Sequence, residues 1–178
     1  KLVSLLKYLK NNNVLYRIIG KCSNILFSNK EYDGVLIKLD EFNELTFYGR
    51  NNTKVRVGAG YPLIKLSLMA AKRGLTGLEF AAGIPGTIGG AVFMNAGAYK
   101  TDMGYIVESV KVLTPDFKVI KLENKEMDFH YRTSFLQKNR DYICLEAVLK
   151  LAVGKREAIE EVIRERRIRR EESQPLEY

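Results

Sequence analysis

The chain has 178 residues, 46% of them apolar and 10% aromatic, which suffices to bury a core in one domain or two small lobes and excludes disorder as the main state. No apolar run approaches the ~20 residues that span a bilayer, and the first residues lack the order of a secretory signal, so a cytoplasmic address without a membrane partner is expected. Two distant cysteines, Cys22 and Cys144, and a single histidine, His130, argue against a disulfide framework or a zinc site, and no metal is expected.

Leu2, Leu5, Leu6 and Leu9 recur at helical spacing until Asn11-Asn12-Asn13 breaks the pattern. An apolar run, Val14 to Ile19, then ends at Gly20 in a polar loop, Lys21-Cys22-Ser23-Asn24, and a second extended run follows from Gly34 to Leu39. Glu44–Tyr48 and Thr53–Val57 flank Gly49-Arg50-Asn51-Asn52, a turn rich in residues that tolerate the left-handed region, and together predict a hairpin. Pro62 suits the first turn of a helix reaching about Arg73 and stopped by Gly74, with Leu63, Leu66 and Ala70 on its buried side. Ile106–Leu113 and Lys118–Leu122 bracket a Pro115-Asp116 turn, and Tyr142–Val153 is a long extended run. Many short strands with few helices predict an α+β fold.

The net charge of +8 would suit a polyanion, but its distribution weakens that reading. Between Lys155 and Glu172 seven cations stand against six acids, the pattern of a solvated helix, with Glu160–Arg164 and Glu165–Arg169 as the expected ion pairs. No nucleic-acid partner is therefore expected, and the cation surplus equally suits a small substrate carrying phosphates and a carboxylate.

Eight of the fourteen glycines lie between Gly74 and Gly104. Their heart is Ala81-Ala82-Gly83-Ile84-Pro85-Gly86-Thr87-Ile88-Gly89-Gly90-Ala91, followed by Met94-Asn95-Ala96-Gly97-Ala98-Tyr99. Residues without a Cβ let backbone N–H groups approach a ligand, and a following helix start favours an anion, so this segment reads either as a pyrophosphate cradle or as tight turns packing helix on sheet. The Gly20–Asn24 loop repeats the theme after a strand. Neither loop carries the Gly-x-Gly-x-x-Gly fingerprint with an acid about 20 residues later, which disfavours a Rossmann domain. The third cluster is His130-Tyr131-Arg132-Thr133-Ser134. Arg132 is either a surface arginine or a permanent cation for an acidic substrate, and His130 is expected to be a structural histidine and not a base, since no paired acid or nucleophile is evident from the motif.

Taken in order, the Gly-x-x-Ser-Asn loop at 20–24, Gly-Leu-Glu-Phe-x-x-Gly-Ile-Pro-Gly-Thr-Ile-Gly-Gly-Ala at 77–91 with Met-Asn-Ala-Gly-Ala-Tyr at 94–99, and Tyr-Arg-Thr-Ser-Phe at 131–135 closely resemble the UDP-N-acetylenolpyruvoylglucosamine reductases. The likeness runs from the first helix to Gln174-Pro175-Leu176. It implies a two-lobed FAD-binding fold of the vanillyl-alcohol-oxidase type, with a small lobe over residues 1–40 and a larger one over 41–178. It implies FAD as cofactor and NADPH as reductant of UDP-N-acetylglucosamine enolpyruvate, yielding UDP-N-acetylmuramate for peptidoglycan, in a monomer. By motif, Gly20, Lys21, Cys22, Ser23 and Asn24 would meet FAD from the small lobe, and Gly83, Ile84, Pro85, Gly86, Thr87, Gly89, Gly90, Ala91 and Asn95 from the larger. Tyr131 resembles the tyrosine beside the substrate and Arg132 the catalytic arginine. The family's acid serine and a helping glutamate are expected beyond Tyr178, together with a substrate-binding third domain, so the chain alone is expected to be inactive.

Two departures stand out. The family's first loop reads Gly-x-Gly-Ser-Asn, whereas the second glycine is here Cys22, whose Cβ would crowd a phosphate or strain a positive φ. The glycine after Ala-Tyr is here Lys100, expected in a surface turn. Two other readings share these residues: a flavin oxidase of the same fold, which would consume oxygen, and a noncatalytic nucleotide- or RNA-binding module, which would be colourless and bind with steep salt dependence.

Overall fold

The computed structural model describes residues 1–173; the Gln174-Pro175-Leu176 motif lies outside the described residues. The amphipathic start folds as helix α1 (Leu2–Asn11), which turns Leu6 and Leu9 into the core while Leu5 stays exposed. Strands β1 (Tyr16–Ile19) and β2 (Val35–Lys38) follow and pair in parallel, joined by the long loop that begins at Gly20. This pair is a sheet of its own.

The second sheet has five strands. The hairpin forms as β3 (Leu45–Tyr48) and β4 (Lys54–Gly58), antiparallel, with Asn51 and Asn52 both at positive φ in the turn. Pro62 caps α2 (Leu63–Lys72), and Leu63, Leu66 and Ala70 are fully buried along one side. A short strand β5 (Leu75–Thr76), a 3-10 turn over Glu79–Gly83 and helix α3 (Ile88–Phe93) lead to a two-residue hairpin of β6 (Gly97–Ala98) and β7 (Thr101–Asp102). Tyr99 and Lys100 form its tip with φ of 55° and 61°, so Lys100 occupies the expected surface turn in the left-handed region.

Strands β8 (Val107–Leu113) and β9 (Val119–Glu123) then form a hairpin across the Pro115-Asp116 turn. After the short helix α4 (Phe135–Lys138), strand β10 (Ile143–Lys150) runs antiparallel between β4 and β8, giving the order β3-β4-β10-β8-β9. The long extended run breaks at Leu151, and β11 (Ala152–Val153) leaves the sheet to pair with β5. Strand β10 is paired along both edges, and the face it turns to the core buries Ala147 and Leu149 completely, while Glu146 and Val148 on the other face are half-buried. Helices and largely antiparallel sheets thus share one core, an α+β fold.

Helix α5 (Arg156–Ser173) corrects two expectations. It is not solvated all round: it packs on the 3-10 turn and on α2, with Ile159 buried. Its ion pairs are Arg156–Glu160, Glu161–Arg164 and Arg167–Glu171, not Glu160–Arg164 and Glu165–Arg169. The packed side fixes which rotamers reach which partner, and sequence spacing alone cannot choose between overlapping i,i+4 options.

Candidate functional site

A crevice of about 2430 Å³ runs between the β1–β2 loop, the segment from Glu79 to Tyr99 and one side of α5. Leu136, Cys144 and Arg132 also line it. The two glycine loops predicted from sequence therefore face the same space, although 62 residues separate Ser23 from Pro85. They also touch: Ser23 Oγ donates to the Pro85 carbonyl at 2.7 Å, and a Cβ at Gly20 would come within 2.7 Å of Thr87 Oγ1. Gly20 is thus required by the contact between the loops themselves.

In the first loop Cys22 has φ 59°, the left-handed conformation the missing glycine would have taken without strain. The amide N–H groups of Lys21 to Asn24 donate to no backbone acceptor among the described residues. Adjacent unshared N–H groups around a left-handed residue make a concavity suited to an anion. Lys21 adds an exposed cation on the crevice wall.

The second segment is arranged differently from the expectation of a helix start aimed at phosphate. The first amides of α3 already have partners: Ile88 N–H donates to the Tyr61 carbonyl, Gly89 N–H to the Ala59 carbonyl, and Gly90 N–H to the Thr87 hydroxyl. Thr87 is the N-cap. Gly89 is needed because a Cβ there would stand 3.0 Å from Ala59 Cβ and 3.2 Å from its carbonyl oxygen, whereas a Cβ at Gly83 would meet only the flexible end of Arg170. Gly86 takes φ 152°, which L side chains rarely adopt. Gly90 has neither a crowding backbone neighbour nor a positive φ to explain it. A Cβ there meets nothing within 4 Å but Thr87 Oγ1, at an ordinary 3.5 Å, and the residue is exposed on the crevice wall. A glycine inside a helix costs about 0.5–1 kcal/mol against alanine, so its presence here fits close approach by a ligand and not protein packing. Ile84, Pro85 and Ala91 complete this side of the crevice.

The third cluster forms a tight turn. His130 and Thr133 bond to each other through both N–H···O pairs, at 3.1 and 3.2 Å, leaving Tyr131 and Arg132 at the tip. Arg132 takes φ 55° and lines the crevice; its guanidinium lies 5.9 Å from the Tyr131 ring centroid. Tyr131 is 88% exposed. The structure does not bring it, or Asn95, onto the crevice wall. Asn95 is buried with its amide bonded to backbone on both sides. His130 Nε2 lies 2.8 Å from Asp128, whose carboxyl is held below its ordinary value by the Lys138 ammonium first and His130 second. Burial pushes the Cys144 thiol up to about 12, which leaves it protonated and inert.

Sequence reasoning missed the contribution of α5. Ile163, Arg166 and Arg170 line the crevice, and Arg166 stacks 4.6 Å over the Tyr99 ring while the Tyr99 hydroxyl donates to its carbonyl at 3.1 Å. The signal was present in the spacing: Ile159, Ile163, Arg166 and Arg170 repeat at 4, 3 and 4 residues, an inward stripe whose last two members carry charge.

A crevice floored by two glycine loops and rimmed by cations is the architecture of a dinucleotide-binding flavoprotein domain. The chain belongs to the FAD binding domain family, whose model matches residues 1–123. It is 46% identical over 170 residues to the UDP-N-acetylenolpyruvoylglucosamine reductase of Halalkalibacterium halodurans and 44% identical over 174 residues to that of Anoxybacillus flavithermus. The two alignments cover 96% and 97% of this chain but 56% and 57% of those proteins, so the chain spans little more than half the length of these relatives. A crystal structure of the UDP-N-acetylenolpyruvylglucosamine reductase of Thermus caldophilus shares its fold, with a TM-score of 0.78 at 32% identity over 96% of this chain and 60% of that one. Among the described residues no helix is long and apolar enough to cross a membrane.

Proposed function

We propose that the chain is the FAD-holding part of an NADPH-dependent reductase that converts UDP-N-acetylglucosamine enolpyruvate to UDP-N-acetylmuramate for the bacterial cell wall, acting in the cytoplasm. The observation that carries this reading is the single crevice faced by both glycine loops with Arg132 on its wall. Its volume of about 2430 Å³ exceeds the roughly 300–1,000 Å³ of a site for one small ligand, leaving room for cofactor and substrate together.

The residues present fit the cofactor. Lys21 to Asn24 offer backbone N–H groups and a cation to its diphosphate, and Gly90 presents bare backbone from the other side. When bound, FAD supplies the hydride carrier between NADPH and the enolpyruvyl double bond. The chain's own work is then electrostatic. As hydride reaches the outer carbon, negative charge moves to the inner carbon and its carboxylate. Arg132, a guanidinium at the tip of a two-residue turn on the crevice wall, neutralises that charge. The cations Arg166 and Arg170 on α5 favour entry of a polyanionic nucleotide.

The test is Arg132→Ala in the full-length gene product that carries this chain. The variant is expected to bind FAD and to be bleached by NADPH at the parent rate, while reduction of the enolpyruvyl nucleotide falls by about 10²–10³-fold. Unchanged turnover would reject the role.

A further inference from the structure

The turn bearing Arg132 has almost no packing of its own, since both tip residues are exposed. It is held at its two ends by the chain that leaves α3. At one end Ser134 Oγ donates to the Phe93 carbonyl at 2.8 Å and caps α4 through the Leu136 N–H. At the other, Asn95 Nδ2 donates to the His130 carbonyl at 2.8 Å. Asn95 is itself clamped. It is 2% exposed, takes φ 42°, and its Oδ1 accepts the Gly104 N–H at 2.9 Å. Gly104 in turn gives its carbonyl to Asn124 Nδ2 at 2.8 Å. A continuous series of hydrogen bonds therefore runs from the end of β9 through Gly104 and Asn95 to the carbonyl one residue before the Tyr131-Arg132 tip.

We infer that Asn95 is a positioning residue for the Arg132 guanidinium, acting through the His130 carbonyl without touching cofactor or substrate. The inference rests on the reading of Arg132 as catalytic. The geometry explains why an amide is needed. One side-chain group must donate to His130 and accept from Gly104 at once, in a backbone conformation that asparagine tolerates and most residues do not. Without it the His130 carbonyl loses its side-chain donor, that end of the turn loses its tie to the chain leaving α3, and the guanidinium is displaced. A displacement of about 1 Å at a reacting centre lowers rate by about 10²-fold.

The experiment uses the full-length gene product, with Asn95→Gly as the main variant because glycine keeps the left-handed backbone while deleting both hydrogen bonds. Flavin bleaching by NADPH and its reoxidation by the enolpyruvyl nucleotide are followed separately. Asn95→Gly should bind FAD and bleach at the parent rate, and reoxidise about 10–100-fold more slowly. Added to Arg132→Ala it should slow reoxidation no further, because there is no guanidinium left to position. In the flavin-free protein trypsin should cut after Arg132 faster than in the parent. Parent rates of reoxidation or of cleavage overturn the inference, as does equal slowing in the Arg132→Ala background, which is what a merely structural residue would give. If Asn95→Gly does not fold, Asn95→Asp, which keeps the acceptor for Gly104, must show the same slow reoxidation. Should Arg132→Ala itself reoxidise at the parent rate, the catalytic reading fails and takes this inference with it.

Discussion

Cys22 shows how one substitution can work against its own loop. The left-handed region costs a non-glycine residue about 1–2 kcal/mol, and glycine returns about 0.5–1 kcal/mol of that through its greater freedom in the unfolded chain. Cys22→Gly should therefore raise stability by up to about 1.5 kcal/mol, read as a higher Tm, and should tighten FAD binding by removing a Cβ from the N–H-lined concavity. A lower Tm would show that the thiol makes a compensating contact. This strain was legible in the sequence, because a cysteine stood where the motif has glycine and the φ was the natural consequence. The roles of the other glycines were legible only as a group. Gly20 and Gly89 answer to Thr87 and Ala59, neighbours that the fold supplies and the motif does not name. Asn95, read as a cofactor residue because it follows the glycines, is directed instead at the backbone of a turn 35 residues away.

Elements with one clean periodicity were read well. The hairpin of β3 and β4 and helix α2 follow from alternation, turn residues and a proline start, and their neighbours only confirm what local chemistry dictates. Helix α5 was misread because its inward side is charged as well as apolar, so composition suggested solvent all round while the heptad-like stripe pointed inward. The turn before α4 carries a pH dependence that follows from its charges. Asp128 is held below its ordinary pKa of 3.8 by Lys138 and His130. A lowered folded-state value means its contribution is complete above about pH 4 and fades as acid carries the pH down through the folded value. Asp128→Asn should therefore reduce the steepness of acid unfolding below pH 4 and leave stability nearly flat across that range at this site, as followed by circular dichroism against pH. An unchanged acid limb would mean the exposed ion pair contributes nothing in solution.

At the scale of the molecule, α3 links the two halves of the site. Its start carries Thr87 and Gly90 on the crevice wall, and the chain just past its end holds the Arg132 turn through Phe93 and Asn95. A helix of six residues thus fixes the distance between Gly90 and the Arg132 turn, the proposed cofactor and catalytic positions, and β10 against it is paired along both edges. The sequence showed the three clusters and, through their order, the family they resemble. It could not show that the clusters converge on one crevice, because convergence depends on β10 returning between β4 and β8, a long-range pairing that no local pattern encodes. The central claim is that bare backbone at Gly90 exists for the flavin and not for the fold. It is tested by titrating FAD, followed by flavin fluorescence, into the parent chain and into Gly90→Leu, with circular dichroism of both. The account predicts that both chains fold alike and that only the parent binds FAD; a folded Gly90→Leu that binds as tightly as the parent would contradict it.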